Sequence, residues 1–149
     1  MTAESAPAVD TEPVRPRRRL PQPTAESQPF WDGLARHELL VQRCGSCGRF
    51  WFPPGNRCQH CWSDRYDWRR VSGRGRLHSF TVFRRAYAPE LADQLPYVVG
   101  VVELEEGPRL ITNVVGTDPG AVRVDQPVEV VFDDLTDEVT LHAFRPREE

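Results

Sequence analysis

The chain of 149 residues contains no lysine, and all 19 of its basic residues are arginine. It also lacks any apolar run close to the roughly 18 residues of a membrane-spanning helix. Its first residues lack the apolar stretch that a secretory signal needs between its charged start and its cleavage site. These absences argue against a membrane helix and against secretion, and they predict a cytoplasmic protein.

An excess of positive charge is missing as well. The formal net charge is −3, and residues 1–23 carry +1, so that the remaining 126 residues carry −4. Nonspecific affinity for nucleic acid comes from neutralising phosphates, so this charge disfavours a general nucleic-acid binder. It is compatible with discrete arginine sites for one phosphorylated ligand.

The four cysteines form two closely spaced pairs. Cys44 and Cys47 are separated from Cys58 and Cys61 by the ten residues Gly48–Arg57. Two C-x-x-C pairs at this distance are typical of a zinc ribbon, because each spacing turns its two sulfurs toward one point. Four thiolates fill a tetrahedral shell, so we predict one structural zinc ion with no open position for substrate.

Two other uses of the four cysteines compete with zinc. A pair of disulfides is disfavoured, because thiols stay reduced in the cytoplasm. A rubredoxin-like iron site would use the same four thiolates and would colour the purified protein red.

The first 23 residues predict a disordered tail. They contain five of the 14 prolines and almost no large apolar side chain. Such a segment buries too little surface to offset the entropy cost of ordering. The run Arg17–Arg19 serves either solubility or contact with an acidic partner.

Residues 24–38 predict a docking helix that runs from about Pro29 to Glu38. Phe30, Trp31 and Leu34 fall on one face at helical spacing. Nothing within this segment covers that aromatic stripe, so it packs either on the rest of the chain or on another subunit. We therefore treat these three residues as candidates for partner docking.

Residues 39–71 are expected to form the zinc ribbon, and residues 72–149 a separate β domain. Five runs rich in Val, Ile, Leu, Phe and Thr, bounded by Gly, Pro and Asp, predict five strands. These runs are Arg76–Arg85, Tyr97–Glu105, Arg109–Val115, Pro127–Phe132 and Glu138–Phe144. No helical pattern separates them, which favours a small closed barrel without exposed strand edges.

The segment Phe50–Pro54 places three aromatic residues and two prolines between the cysteine pairs. It either packs the ribbon on the barrel or forms one wall of an apolar groove at their junction. Junctions of this kind are common ligand sites.

No catalytic constellation stands out. The four histidines, His37, His60, His78 and His142, are scattered, and His60 is expected to be an exposed residue between two metal ligands. No Ser or Cys lies in a nucleophile elbow, and no Gly-rich phosphate loop is present. We therefore assign no catalytic residue, and an enzymatic activity of the isolated chain is not expected.

The combination of motifs resembles a known family, the acyl-CoA-associated zinc-ribbon plus OB-fold proteins (domain of unknown function thirty-five). The resemblance covers about residues 27–145. It is carried by Phe30-Trp31, Gly33-Leu34, Glu38-Leu39, Cys44 to Gly48, Phe52-Pro53-Pro54, Cys58, Cys61, Val71 to Gly75, Pro96-Tyr97 and Leu104 to Gly107.

The resemblance implies a mainly β fold: a short helix, a rubredoxin-like zinc ribbon and a five-stranded OB-fold barrel. It also implies an acyl-CoA in an apolar channel between ribbon and barrel, with Phe52, Pro53, Pro54 and Arg57 as candidate contacts. Gly55 stands where the family usually has an Arg, and Arg57 is the candidate replacement. Another departure is Gln59, where the family usually has Pro.

The family pairs with thiolase-like or lipid-transfer-protein-like aldolases or with MaoC-like hydratases, some of which degrade steroid or fatty acyl-CoA side chains by a retro-aldol step. The main expectation is therefore a non-catalytic accessory subunit in a hetero-oligomer with such an enzyme. The alternatives are an acyl-CoA carrier or regulator without an enzyme partner, and a module that binds single-stranded nucleic acid.

Overall fold

A computed structural model describes residues 19–148, which form a short helix, a three-stranded sheet and a closed five-stranded barrel in chain order. The elements are α1 (Gln28–Ala35), β1 (Leu40–Cys44), β2 (Phe50–Trp51), β3 (Tyr66–Arg70), β4 (Arg74–Phe83), β5 (Tyr97–Leu104), β6 (Arg109–Val114), β7 (Pro127–Asp134) and β8 (Thr140–Pro146). This architecture confirms the predicted fold class. Of the predicted tail, residues 1–18 lie outside the described part. No helix among residues 19–148 is long and apolar enough to cross a membrane.

Helix α1 ends three residues earlier than predicted. His37 takes the left-handed backbone conformation (φ +58°). The N–H of Glu38 donates to the carbonyl of Gly33, and the N–H of His37 to that of Leu34, each at 2.9 Å. This pair of bonds is a Schellman motif, which satisfies the last carbonyls and turns the chain away from the helix axis. The predicted extension to Glu38 was wrong for that reason.

Two of the three candidate docking residues are buried in this chain. Phe30 is 3% exposed and Leu34 is fully buried, whereas Trp31 is only partly covered. Gly33 allows this close approach, because a Cβ there would lie 2.7 Å from Cγ of Leu40 on β1. Phe30 and Leu34 are therefore not available for docking on a partner. Trp31 packs on the same core but is only partly covered, and its contact with a partner stays a prediction.

The barrel closes in the order β4-β5-β6-β8-β7. β4 starts two residues earlier than predicted, because Arg74 pairs with Glu129 of β7. A bulge between Leu77 and Ser79 bends β4, so that its first half pairs with β7 and its second half only with β5. The closure between β6 and β8 consists of one parallel pair, Val114 with Phe144, so parts of β4 and β6 have a strand partner on one side only.

The end of α1 is fastened to the hairpin of β7 and β8. The ring of His37 stacks on that of Phe132, with centroids 5.1 Å apart and planes 2° from parallel. Its Nε2 lies 2.9 Å from Oδ1 of Asp134. The hydroxyl of Thr140 donates to the same carboxylate at 2.7 Å, and these two contacts hold the pKa of Asp134 below its usual value.

Helix, ribbon base and barrel share one hydrophobic core. His142 on β8 lies where they meet, edge-on to Phe30 at 5.8 Å and hydrogen-bonded through Nδ1 to the hydroxyl of Thr112 at 3.0 Å. Phe30 in turn lies 5.3 Å from the ring of Phe52, which follows β2 of the ribbon. Burial lowers the pKa of His142 from 6.5 to about 4, so the imidazole is neutral at pH 7.

His142 makes stability depend on pH. Between its folded pKa of about 4 and its unfolded pKa of 6.5, only the unfolded chain binds the proton. The free energy of unfolding is thus complete above pH 6.5 and falls on acidification, by up to about 3 kcal/mol. Chemical denaturation at pH 7 and at pH 4.5 measures this loss. Between these two pH values, the free energy of unfolding of His142→Phe should fall clearly less than that of the wild type. Both proteins carry the same thiolates and carboxylates, so parallel losses would contradict this assignment of His142.

Candidate functional site

The four cysteines meet at one point of the ribbon, whose strands lie in the order β2-β1-β3. All four sulfurs lie within 4.8 Å of one another, with Cys44 to Cys61 at 3.5 Å and Cys47 to Cys58 at 3.7 Å. In a regular tetrahedron with metal–sulfur bonds of about 2.3 Å, the sulfurs are about 3.8 Å apart. The residues present therefore fit one tetrahedral metal ion, and no disulfide joins them.

Backbone amides prepare the thiols for a cation. The N–H of Cys47 and that of Ser46 point at Sγ of Cys44 and lower its pKa to about 6, against the effect of burial. Cys61 behaves differently: the N–H of Ser63 lowers its pKa, but bonds with Cys44 and other neighbouring thiols, together with burial, raise it to about 11. Four adjacent thiolates thus need a cation to share the site, which is the role of a structural metal.

The two metal-binding turns have the same backbone design. The N–H of Gly48 donates to the carbonyl of Cys44 at 3.1 Å, and the N–H of Trp62 donates to the carbonyl of Cys58 at 3.0 Å. Both residues that follow the cysteine pairs have positive φ, +75° for Gly48 and +66° for Trp62. Glycine suits this conformation, whereas tryptophan is strained in it.

A buried amide holds the loop between the cysteine pairs. Gln42 on β1 is 1% exposed, and its amide makes both backbone hydrogen bonds of Gly55: Nε2 donates to the carbonyl at 2.6 Å and Oε1 accepts from the N–H at 2.9 Å. One side chain thereby replaces a strand partner for a loop that contains two prolines. Gln42 was not predicted as a structural residue, although its place between Val41 and the cysteine end of a buried strand is a signal for a polar side chain with a buried partner.

A groove of about 750 Å³ separates the ribbon from the barrel. From the ribbon it is lined by Arg49, Phe50, Trp51, Phe52, Gln59 and His60, and from the barrel by Glu103, Glu106, Gly107, Pro108 and Arg109. Of the four predicted groove residues, Phe52 lines this space. Pro53, Pro54 and Arg57 lie outside its lining. Phe52 also packs on Phe30, so this one residue both lines the groove and joins the ribbon to the core.

The two sides of the groove are held by specific bonds. The ring of His60 lies 3.2 Å from the carbonyl of Phe50, so this exposed histidine ties the second metal-binding turn to β2 and is no metal ligand. The carboxylate of Glu106 accepts from the N–H of Ser72 at 2.9 Å, which fixes the β5–β6 turn against the ribbon–barrel connection. The shape of the groove is therefore fixed by hydrogen bonds within this chain.

Gln42→Leu should lower the free energy of unfolding by about 2 kcal/mol, because it leaves both partly buried backbone groups of Gly55 without a partner. Hydrogen exchange should accelerate in residues 52–57. Gln94→Leu, at an exposed position on the barrel, is the matched control and should change neither quantity. Equal protection in both variants would contradict the role given to Gln42.

Cys47→Ser should abolish stoichiometric zinc binding, since three thiolates and a hydroxyl hold the ion far more weakly. Because metal binding contributes on the order of 10 kcal/mol to folding such a lobe, the ribbon should lose its exchange protection. Metal analysis by mass spectrometry and hydrogen exchange measure the two effects. His60→Ala should retain one zinc ion per chain, and loss of the metal there would mean that His60 is a ligand after all.

Comparisons with known proteins agree with this architecture. Residues 31–67 match the family described as "ChsH2, rubredoxin-like zinc ribbon domain", and residues 68–133 match "ChsH2, C-terminal OB-fold domain". The metal of the site is therefore zinc rather than iron. The predicted structural zinc is confirmed, as is the OB-fold barrel.

Relatives and a solved structure extend the match. The chain is 36% identical over 134 residues to a "Probable enoyl-CoA hydratase alpha subunit" of Thermomonospora curvata, covering 89% of this chain and 41% of that protein. It thus spans about two fifths of the length of this curated relative. It is 34% identical to a "DUF35 domain-containing scaffold protein" of Methanothermobacter thermautotrophicus, covering 86% of each chain.

The solved structure is the "Ltp2-ChsH2(DUF35) aldolase", matched with a TM-score of 0.76 and 35% identity over 85% of this chain and 98% of that chain. The family resemblance predicted from the motifs is confirmed. This chain belongs to the DUF35 family, in which a ChsH2-type rubredoxin-like zinc ribbon precedes an OB-fold domain.

Proposed function

We propose that this chain is a non-catalytic accessory subunit of an acyl-CoA-processing complex, in which a thiolase-like aldolase or a hydratase-like subunit carries out the reaction. One observation carries the proposal. In residues 19–148, the single cluster of His, Cys, Asp and Glu side chains with metal-binding geometry is the tetrathiolate site. That site offers no open coordination position for a substrate or a water nucleophile.

Three of the four histidines support a partner that supplies the catalytic groups. His37 is engaged with Phe132 and Asp134, and His60 with the carbonyl of Phe50. His142 is neutral and is bonded to the hydroxyl of Thr112 at the junction of helix, ribbon and barrel. A general base must reach its substrate proton at hydrogen-bonding distance, and these three side chains already have structural tasks.

The groove between ribbon and barrel is the candidate site for the acyl-CoA. Its volume of about 750 Å³ is in the range of small-molecule sites. Aromatic side chains, Phe50 and Phe52, line the ribbon wall beside Arg49, while the barrel wall carries Glu103 and Glu106. The ribbon wall therefore offers an apolar surface to an acyl chain and one arginine to its anionic carrier. Four reduced cysteines are in keeping with a cytoplasmic complex.

An uncharged face of the barrel supports docking of an enzyme subunit. Beside the ion pair of Glu103 and Arg109, six outward positions of β4, β5 and β6 pair side by side and carry no charge: Ser79, Thr81, Val99, Val101, Ile111 and Asn113. Ile111 is 73% exposed on the β6 side of this uncharged face. Residues 72–149 carry eight Arg and fourteen acidic residues in all. Local depletion of charge with an exposed apolar residue is the pattern of a protein interface.

The reaction of the complex is the second part of this proposal. We propose that the partner is a thiolase-like aldolase that cleaves a steroid or fatty acyl-CoA side chain by a retro-aldol reaction. The likeness to the Ltp2-ChsH2(DUF35) aldolase over nearly the whole of that chain supports it. Here this chain would position the acyl-CoA and support the fold of the partner.

Ile111→Arg should weaken the complex with the proposed thiolase-like or hydratase-like subunit by at least a hundredfold, because it places an unpaired charge within the interface. Co-expression followed by size-exclusion chromatography and calorimetry measures this. Val124→Arg is the matched control, since Val124 is 62% exposed on the barrel outside the uncharged face. A wild-type chain that stays monomeric with such subunits and binds acyl-CoA alone would instead identify a carrier.

A further inference from the structure

The second metal-binding turn exposes a tryptophan in an unfavourable backbone conformation. Trp62 has φ +66° and is 71% exposed, so its ring is held out in solvent without a packing reason. The equivalent residue of the first turn is Gly48, with φ +75° and the same backbone hydrogen bond. Glycine adopts this conformation without strain in the first turn, yet the second turn has tryptophan at the equivalent position. A strained, exposed aromatic residue points to a ligand.

We propose that this turn is a nucleotide-binding site, in which the indole of Trp62 stacks on the adenine base of coenzyme A and Arg57 binds one of its phosphates. The inference rests on the proposed acyl-CoA function and adds to it the place of the nucleotide half of the ligand.

Arg57 is placed to act with Trp62. Its Nη1 donates to the carbonyl of Trp62 at 3.3 Å, so the guanidinium lies beside the backbone that carries the indole. Arg57 is exposed and forms no ion pair among residues 19–148. An arginine fork with unused donors binds phosphate oxygens well, and an exposed indole offers a face to any base.

The charge of the ribbon favours an anion at this place. Residues 39–71 contain six Arg and two Asp, and zinc with four thiolates adds two negative charges, which leaves +2. Residues 72–149 carry −6 by the same count of Arg against Asp and Glu. Phosphates are therefore attracted to the ribbon end of the molecule and repelled from the barrel.

The turn that carries Trp62 also contributes residues to the groove. Gln59 and His60, the two residues between the ligands Cys58 and Cys61, line the ribbon side of the groove, and Trp62 follows directly after Cys61. An acyl chain in the groove would thus lead its pantetheine arm past this turn toward Trp62. A single nucleotide fits this position better than a nucleic-acid strand, which would continue toward the acidic barrel.

The test uses the zinc-loaded full chain labelled with ¹⁵N. The sequence has four Trp, and the indole N–H resonance of Trp62 is identified by its absence from Trp62→Gly. Titration with coenzyme A and with 3′,5′-ADP should shift this resonance, whereas pantetheine, which lacks the nucleotide, should not shift it. A single-stranded oligonucleotide is titrated in parallel.

Trp62→Gly should weaken coenzyme A binding between about fivefold and a hundredfold, the range expected for loss of one base–aromatic stack. Because glycine favours φ +66°, the same variant should unfold at the same or a higher temperature, which separates binding from folding. Arg57→Gln should weaken binding about tenfold. Arg84→Gln, which removes the same charge from the barrel, is the control and should bind as the wild type does.

The outcomes separate this inference from the proposed function. Coenzyme A that binds Trp62→Gly as tightly as the wild type would overturn the nucleotide site and leave acyl-CoA binding in the groove intact. Absence of binding to the wild-type chain would overturn the site as well, while the accessory role is judged by complex formation. An oligonucleotide that binds more tightly than coenzyme A and shifts the same resonance would replace the proposal by a nucleic-acid site.

Discussion

The closed shell of four thiolates around one zinc ion is the constraint on which the ribbon depends. Around it the ribbon buries only a small cluster, formed by Cys44, Cys58 and Trp51 with Tyr66 against its edge. So little apolar surface cannot offset the entropy of ordering two turns and a loop with two prolines. The metal supplies that free energy, and the same closed shell removes the ion from catalysis.

The helix joins the ribbon to the barrel. Phe30 contacts Phe52 of the ribbon and His142 of the barrel, and the stacked His37 fixes the end of α1 to β7. These contacts set the width of the groove, since its two walls belong to different lobes. A subunit that positions a ligand for another protein needs such a fixed geometry more than it needs reactive groups.

Charge divides the molecule into two ends. The ribbon is positive and the barrel strongly negative, while the uncharged face around Ile111 interrupts the acidic surface. An anionic ligand and a protein partner can thus occupy different parts of one small chain. This division is the physical basis for proposing a phosphorylated ligand for a chain with a net charge of −3.

The sequence by itself determined the metal site, because the spacing of two C-x-x-C pairs is a local property that turns sulfurs toward one point. It also determined the five barrel strands, since alternation and turn residues act over a few positions. The observed strand ends differ from the predicted ones by about two residues where pairing with a distant strand extends a strand, as the pairing of Arg74 with Glu129 does. Only the tertiary structure decided that Phe30 and Leu34 face their own core, that Gln42 holds Gly55, and that Trp62 is strained and exposed. Those features depend on which segments meet in space, and contacts between residues far apart in the chain leave no periodic trace in it.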